Sequence, residues 1–198
     1  MKKAYSTDKQ LIKMVLKGNN TAFKTIITNT QGLVIQIVYK MTDAPLDRED
    51  LIQEIYLKVY HKLSSFKYQS KLSTWIATIA YHTCINFLEK KKIPTVKVFD
   101  KEGNESWNIV DSTVQHRSYN DTDSYLFKKE RMHILQMAVD KLPPVYKTLI
   151  TLFHNEELSY EEISKITGLP EGTLKSYLYR ARKKLREYLL HTYKKEEL

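Results

Sequence analysis

The chain is poor in the two residues that most strongly interrupt secondary structure. Its 198 residues include five glycines and five prolines, where average usage would give about 14 and about 10. Sandwiches and barrels need many tight turns, which these residues normally form, so the composition favours a mainly helical chain. Hydrophobic residues make up 42% of the sequence, which argues against wholesale disorder. We therefore predict an all-α fold.

Cysteine usage and the N-terminal residues indicate the compartment. Cys84 is the single cysteine, so a disulfide framework is excluded. The first residues, MKKAYSTDKQLIK, carry lysines with no apolar run behind them, unlike a signal peptide. The apolar run 32–38 is too short to span a bilayer. These features predict a soluble, cytoplasmic protein that does not insert into a membrane.

Charge divides the chain into three parts. Residues 1–98 carry 16 basic and 7 acidic side chains, residues 99–130 carry 4 and 7, and residues 131–198 carry 12 and 9. The stretch 99–124 is also polar and without helical periodicity, which is typical of a linker. We predict two small helical domains, 1–95 and 128–198, joined by a flexible acidic linker at 96–127. A long functional loop in a single domain is the alternative, although such loops are uncommon.

A predicted helix from about Asp47 to Leu63 has an acidic face in an otherwise basic protein. At 100° per residue its apolar side chains gather on one side, and Asp47, Asp50 and Glu54 gather opposite, with Gln53 at the edge. A solvated face whose carboxylates complement the helix dipole would explain this pattern. A docking face for a basic protein partner would explain it as well, and periodicity alone does not decide between them.

The next predicted helix, over about 73–91, aligns one aromatic ring with hydrogen-bonding side chains. Rings stack on base faces and polar groups bind base edges, so such an arc suits single-stranded nucleic acid. Phe66 and Lys71 lie just upstream, where aromatic residues alternate with lysines. Partial burial of the ring in the core is the alternative. The arc consists of Trp75, Thr78, His82 and Asn86.

The second half of the chain contains a more specific pattern. Residues 159–162, SYEE, predict a capping box that starts a short helix, and Gly168 suits its C-terminal end. A turn and a longer helix over about 172–190 follow, which together predict a helix-turn-helix. The longer helix has a basic stripe beside a buried apolar one, and the DNA major groove admits such a helix. The basic stripe consists of Lys175, Tyr179, Arg182 and Arg186.

Two sequence blocks, in this order, resemble the bacterial sigma-70 factors of the extracytoplasmic-function (ECF) group. The first block, DREDLIQE at 47–54 followed by KLSTWIATIA at 71–80, is similar to the family's region 2. The second block, LSYEEI at 158–163 followed by GTLKS at 172–176 and RARKKL at 180–185, is similar to region 4. The resemblance covers both predicted domains and not the linker.

The resemblance implies a transcription initiation factor that directs core RNA polymerase to promoters and captures the melted −10 element. The implied protein contacts are the clamp helices of the β′ subunit, through Asp47, Asp50, Gln53 and Glu54, and the β flap. The resemblance implies an anti-sigma factor as a further partner. It implies no cofactor and no small-molecule substrate. The implied −10 contacts are Phe66, Lys71, Ser73, Thr74, Trp75, Thr78, His82 and Asn86. The implied −35 contacts are Ser159, Tyr160, Gly172, Thr173, Lys175, Ser176, Tyr179, Arg180, Arg182 and Lys183.

The chain departs from the family pattern at His82, where relatives often carry Asn, and at Tyr177, where they often carry Arg. A stand-alone helix-turn-helix regulator is the alternative function, and it would dimerise on palindromic half-sites without polymerase. An enzyme would need Cys84 as a nucleophile or a metal held by histidines. Free cysteines are mostly inert and buried, and the six histidines have no ligand spacing, so we predict neither catalysis nor a metal.

Overall fold

The structure is a computed structural model that describes residues 2–91 and 125–192, with side chains for 7–91 and 131–192. This described part contains eight α-helices, a 3₁₀ turn at Leu63–Ser65 and no strand, which confirms the all-α prediction. The predicted linker lies outside the described residues as far as 124. The helices are α1 (Lys2–Leu16), α2 (Asn20–Met41), α3 (Pro45–Lys62), α4 (Leu72–Lys90), α5 (Tyr125–Asp140), α6 (Pro144–His154), α7 (Tyr160–Thr167) and α8 (Glu171–Thr192).

The first half of the chain is built from α1 to α4. Helix α1 begins at Lys2, and α2 begins after Asn19, whose side chain accepts a hydrogen bond from the Ala22 N–H at 3.0 Å. Pro45 occupies the first turn of α3, where its missing N–H costs no hydrogen bond. Helix α2 packs on α1, α3 and α4, so its buried stripe forms the centre of this core.

The second half contains the predicted helix-turn-helix. Helix α5 begins at Tyr125, before the predicted domain boundary at 128. The capping box of α7 is present: Ser159 Oγ accepts from the Glu162 N–H at 3.2 Å, and Glu162 Oε2 accepts from the Ser159 N–H at 3.1 Å. Gly168 ends α7 with a φ of 74°, a left-handed conformation that glycine adopts freely. Helix α8 then runs from Glu171, and these local predictions are confirmed.

The two halves pack against each other. Eight consecutive residues of α6, 145–152, are buried, so this helix is covered on every side. Its neighbours are α2 of the first half and α5, α7 and α8 of the second, while α7 packs on α4. We call these contacts of α2 with α6 and of α4 with α7 the seam. None of the helices within 2–91 and 125–192 is long and apolar enough to cross a membrane.

Candidate functional site

The acidic face lies on the solvent side of α3, opposite its buried stripe. Asp50, Gln53 and Glu54 are exposed. Asp47 is half-buried, and both its carboxylate oxygens accept hydrogen bonds from Lys91 Nζ, at 2.9 and 2.7 Å. Asp50 makes no ion pair with any described residue. The face therefore presents an unneutralised carboxylate beside an exposed amide.

Two large apolar side chains lie on the same side of α3, and the sequence analysis missed them. Leu46 is 79% exposed and Leu57 is 61% exposed. At 100° per residue both fall between Gln53 and Asp50 around the helix. Single exposed leucines are common, but a pair among carboxylates resembles the apolar centre and polar rim of a protein interface. These leucines favour docking over a merely solvated face.

Lys58 connects α3 to α4. Its Nζ lies 2.6 Å from Glu54 Oε1 and donates a hydrogen bond to Thr83 Oγ1 at 3.2 Å. Thr83 is buried on α4. These two contacts of Lys58 therefore hold α3, which carries the acidic face, against α4, which carries the predicted −10 contacts.

The predicted arc lies along one side of α4, as its spacing indicates. His82 and Asn86 are exposed, and Trp75 and Thr78 are half-buried. Lys71, just before α4, is exposed, and Ser73 in its first turn is half-buried. We call the accessible set the −10 face: Lys71, Ser73, Trp75, Thr78, His82 and Asn86.

Two residues of the predicted −10 set lie in the core, which corrects the expectation that they face a strand. Thr74 is 4% exposed and Phe66 is 7% exposed. The Phe66 ring packs against the rings of Trp75 and Tyr68, with centroids 5.3 and 4.9 Å away. The buried Phe66 ring therefore packs against the Trp75 ring and restricts its position. A pocket beside this cluster is lined by Ser65, Phe66, Lys67, Gln69, Ser70 and Trp75.

The predicted −35 residues lie on α7 and α8, on the side away from the core. The buried stripe of α8 consists of Leu174, Leu178, Ala181 and Leu185. Because this stripe packs against the core, the neighbouring basic stripe faces solvent. Tyr160 and Thr173 are half-buried. The exposed members are Ser159, Gly172, Lys175, Ser176, Tyr179, Arg180, Arg182 and Lys183.

Tyr177 faces inward, so it makes no contact on the basic side of α8. It is 5% exposed and its ring packs edge-on against Tyr146, with centroids 5.6 Å apart. Tyr81 of α4 is also buried, and burial together with the nearby Tyr177 raises its pKa. Tyr177 therefore connects α8 to α6.

Two aromatic rings lie beneath the basic side chains of α8. Phe153 and Tyr160, which we call the aromatic ledge, have centroids 4.9 Å apart. Lys175 Nζ lies 5.4 Å from the centre of the Tyr160 ring, and Arg182 Cζ lies 5.4 Å from the centre of the Phe153 ring. These cation–π distances hold two predicted −35 residues over the ledge. Residue spacing within α8 could not indicate Phe153, because Phe153 belongs to α6.

His154 contacts the same guanidinium. Its Nε2 lies 3.3 Å from Arg182 Nη2. Burial lowers the pKa of His154, and the charge of Arg182 lowers it further. The neutral imidazole can accept a hydrogen bond from Arg182, whereas the protonated ring would repel it.

Cys84 has the properties of a core residue. It is fully buried, and burial raises the pKa of its thiol to about 12. The thiolate is the reactive form of cysteine, so this side chain is a poor nucleophile near neutral pH. Within the described ranges, no group of three or more potential ligands could hold a metal ion.

Two family models match the chain, one in each half. Residues 26–93 match Sigma-70 region 2, and residues 132–185 match Sigma-70, region 4. The ECF RNA polymerase sigma factor SigW of Bacillus subtilis is 31% identical over 181 residues, which are 91% of this chain and 96% of the relative. The ECF RNA polymerase sigma-E factor of Escherichia coli K12 is 30% identical over 180 residues, which are 89% and 91%.

Solved structures share the fold. CnrH, in complex with the cytosolic domain of CnrY, superposes with a TM-score of 0.63 at 16% identity, over 94% of this chain and 99% of CnrH. The sigma factor RpoE of Bartonella quintana, in complex with the anti-sigma factor NepR, superposes with a TM-score of 0.57 at 25% identity, over 86% and 98%.

Proposed function

The chain belongs to the ECF group of RNA polymerase sigma factors, and from that membership we propose how its surfaces divide the work of initiation. The acidic face of α3 binds the β′ clamp helices of core polymerase. The −10 face of α4 captures the melted strand, and the basic stripe of α8 enters the −35 major groove. The observation that carries this proposal is the separation of an acidic, leucine-bearing face on α3 from a basic, solvent-facing stripe on α8.

The −10 face has the groups that an unstacked base needs. Trp75 offers a ring supported by Phe66, and the adjacent pocket offers hydroxyl and amide groups. Stacking of one base on an aromatic side chain is worth about 1–3 kcal/mol. A few such contacts offset the unpairing of A·T-rich steps, so capture of the strand favours melting.

The −35 contacts combine positioning and base recognition. Exposed Lys175, Arg182 and Lys183 can neutralise phosphates, and Ser176 and Tyr179 lie between them on the exposed side of α8. Phosphate contacts fix the register of the helix, and contacts with base edges give the sequence preference. We propose that residues 1–95 and 128–198 act as the two domains, with α5 extending the second to Tyr125.

We propose that region 4 also contacts the β flap of polymerase. We propose that an anti-sigma factor is the inhibitory partner, and that the chain acts in the cytoplasm alongside polymerase. CnrY and NepR occupy solved complexes with proteins of this fold. In this function the chain positions polymerase and DNA and catalyses nothing itself. The relatives give no support to a stand-alone regulator.

Run-off transcription with purified core polymerase and genomic DNA fragments tests the proposal. We expect discrete start sites that depend on the chain, and Asp50→Lys should abolish both transcription and co-elution with core. Glu157→Lys is the charge-matched control for co-elution with core, because Glu157 is exposed between α6 and α7 and not on α3. A chain that fails to bind core and still protects duplex DNA as a dimer would contradict the proposal.

A further inference from the structure

We propose that His154 is a positioning residue of the −35 contact: as a neutral acceptor it holds Arg182 in place for the DNA, and its protonation weakens −35 binding. This inference rests on the proposed function, because that function places the basic stripe of α8 in the major groove. It adds a residue from outside the helix-turn-helix and a dependence of promoter binding on pH.

Two neighbouring residues of α6 contact the Arg182 guanidinium. Its Cζ lies 5.4 Å from the centre of the Phe153 ring, and its Nη2 lies 3.3 Å from His154 Nε2. The two rings meet edge to face, with centroids 5.0 Å apart and planes at 88°, so Phe153 also restricts the imidazole. Arg182 is exposed to solvent. These contacts therefore direct the guanidinium without burying it.

The contact with His154 requires the neutral imidazole. A guanidinium has only donors, so Nε2 must be the acceptor and the ring proton must be on Nδ1. Protonation would put a second donor and a positive charge at Nε2, which would break the hydrogen bond and repel Arg182. Burial, followed by the charge of Arg182, lowers the pKa of His154. The imidazole is therefore neutral near neutral pH, and acid would release Arg182.

Arg182 is the charge that lowers the pKa of His154, and it belongs to α8. The other helices packed on α6 are α2, α5 and α7. The charged or titratable groups that these helices and their connections place around α6 include Asp43, which pairs with Lys147; Asp140, which pairs with Lys40; Tyr160, which contacts Phe153; and Glu156 and Glu157, which follow His154 in the chain. Titration of His154 therefore acts first on Arg182.

The position of Arg182 along α8 suits a contact with the DNA backbone. The N-terminal residues of a recognition helix contact base edges, and α8 begins at Glu171. Arg182 lies about 16 Å further along the helix axis. Phosphate contacts fix the register of such a helix, so a guanidinium held in one direction gives α8 a fixed anchor. A guanidinium released from His154 loses more conformational freedom when it binds DNA, which weakens binding.

Three variants and two promoter fragments test the proposal with the full chain bound to core polymerase. His154→Gln keeps a neutral acceptor on a side chain that does not titrate, His154→Leu removes the acceptor, and Arg182→Ala removes the guanidinium. The long fragment contains both promoter elements, and the short fragment ends between them, so only the long one reports on −35 contacts. Affinity is measured by fluorescence anisotropy from about pH 7.5 to about pH 5.5, across the ordinary range of histidine.

On the long fragment, we expect acid to weaken wild type about three- to tenfold relative to His154→Gln, the range for one hydrogen bond. Because the pKa of His154 lies below its ordinary value, this loss should begin below about pH 6.5. Near neutral pH, His154→Leu should bind about three- to tenfold more weakly than wild type, and it should have no further effect in the Arg182→Ala background. On the short fragment, wild type and the variants should bind equally.

Parallel pH profiles of wild type and His154→Gln would overturn the proposal. A gain of wild-type affinity in acid would overturn it as well, because the protonated ring would then bind phosphate itself. Equal losses on the two fragments would show a general effect on the fold and would also contradict it. If Arg182→Ala binds the long fragment as wild type does, the −35 assignment of α8 fails. A loss in Arg182→Ala without one in His154→Leu overturns the role of His154 alone.

Discussion

The Lys71 amine and the Glu162 carboxylate lie 2.8 Å apart, although 91 residues separate them in the chain. The hydrogen bond from Lys71 is the largest cause that lowers the pKa of Glu162. The pair therefore stabilises the packing of α7 on α4 fully at pH values above the ordinary range of a glutamate pKa. That contribution is lost as the pH falls through the lowered pKa of Glu162.

Glu162→Gln should weaken the seam while keeping α7 intact. Glutamine can still accept the Ser159 N–H at the third position of a capping box, but it carries no charge for Lys71. We expect an amine-reactive reagent to modify Lys147, a buried residue of α6, faster than in wild type, as measured by mass spectrometry. The thermal midpoint should stay within a few degrees of wild type. Glu161→Gln is the matched control, because Glu161 pairs only with Lys165 within α7 among the described residues. Equal effects of the two variants on Lys147 would contradict the assignment of Lys71–Glu162 to the seam.

Phe153 and Arg182 should contribute to −35 binding as a unit. Phe153→Leu removes the ring and keeps an apolar side chain, and Arg182→Ala removes the cation. If the ledge positions the guanidinium, the double variant should lose less affinity than the two single variants combined, by about 0.5–1 kcal/mol. The measurement is a double-mutant cycle of duplex affinity with the polymerase-bound chain. Strict additivity would mean that Phe153 acts only through stability.

The pKa of His154 should report on the position of Arg182. Removal of the guanidinium by Arg182→Ala leaves burial as the remaining cause that lowers this pKa. We therefore expect the pKa of His154 to rise towards its ordinary value, measured by an NMR titration of its ring protons. An unchanged His154 titration would place Arg182 away from the ring in solution.

Leu57→Ala should weaken polymerase binding more than it weakens the fold. The side chain is 61% exposed, so its truncation leaves no core cavity, and surface substitutions usually change stability by less than about 0.5 kcal/mol. The truncations that cost more than about 1 kcal/mol of binding cluster near the centre of an interface. Leu190→Ala, at a second exposed leucine on α8, is the control. Binding of core polymerase that matches wild type would remove Leu57 from the interface.

Local sequence patterns predicted the helices that carry the sites, because each pattern reports a property of one helix. Residue spacing predicted the buried stripe of α8, and the capping box predicted the start of α7. The inward position of Tyr177 and the burial of Thr74 depend on packing between helices, which spacing does not report. Arg182 contacts Phe153 and His154 only because α6 packs on α8. The exposed Leu57 interrupts a polar face, so no periodic pattern indicated it.

The carboxylate of Glu162 uses its two oxygens for different purposes. Oε2 accepts from Ser159, the N-cap residue of its own helix, and Oε1 accepts from Lys71 of the other half. Removal of the Lys71 side chain would leave the first of these bonds in place, so α7 does not need Lys71 for its N-terminal cap. The N-terminal cap of this helix therefore depends on residues of its own half alone.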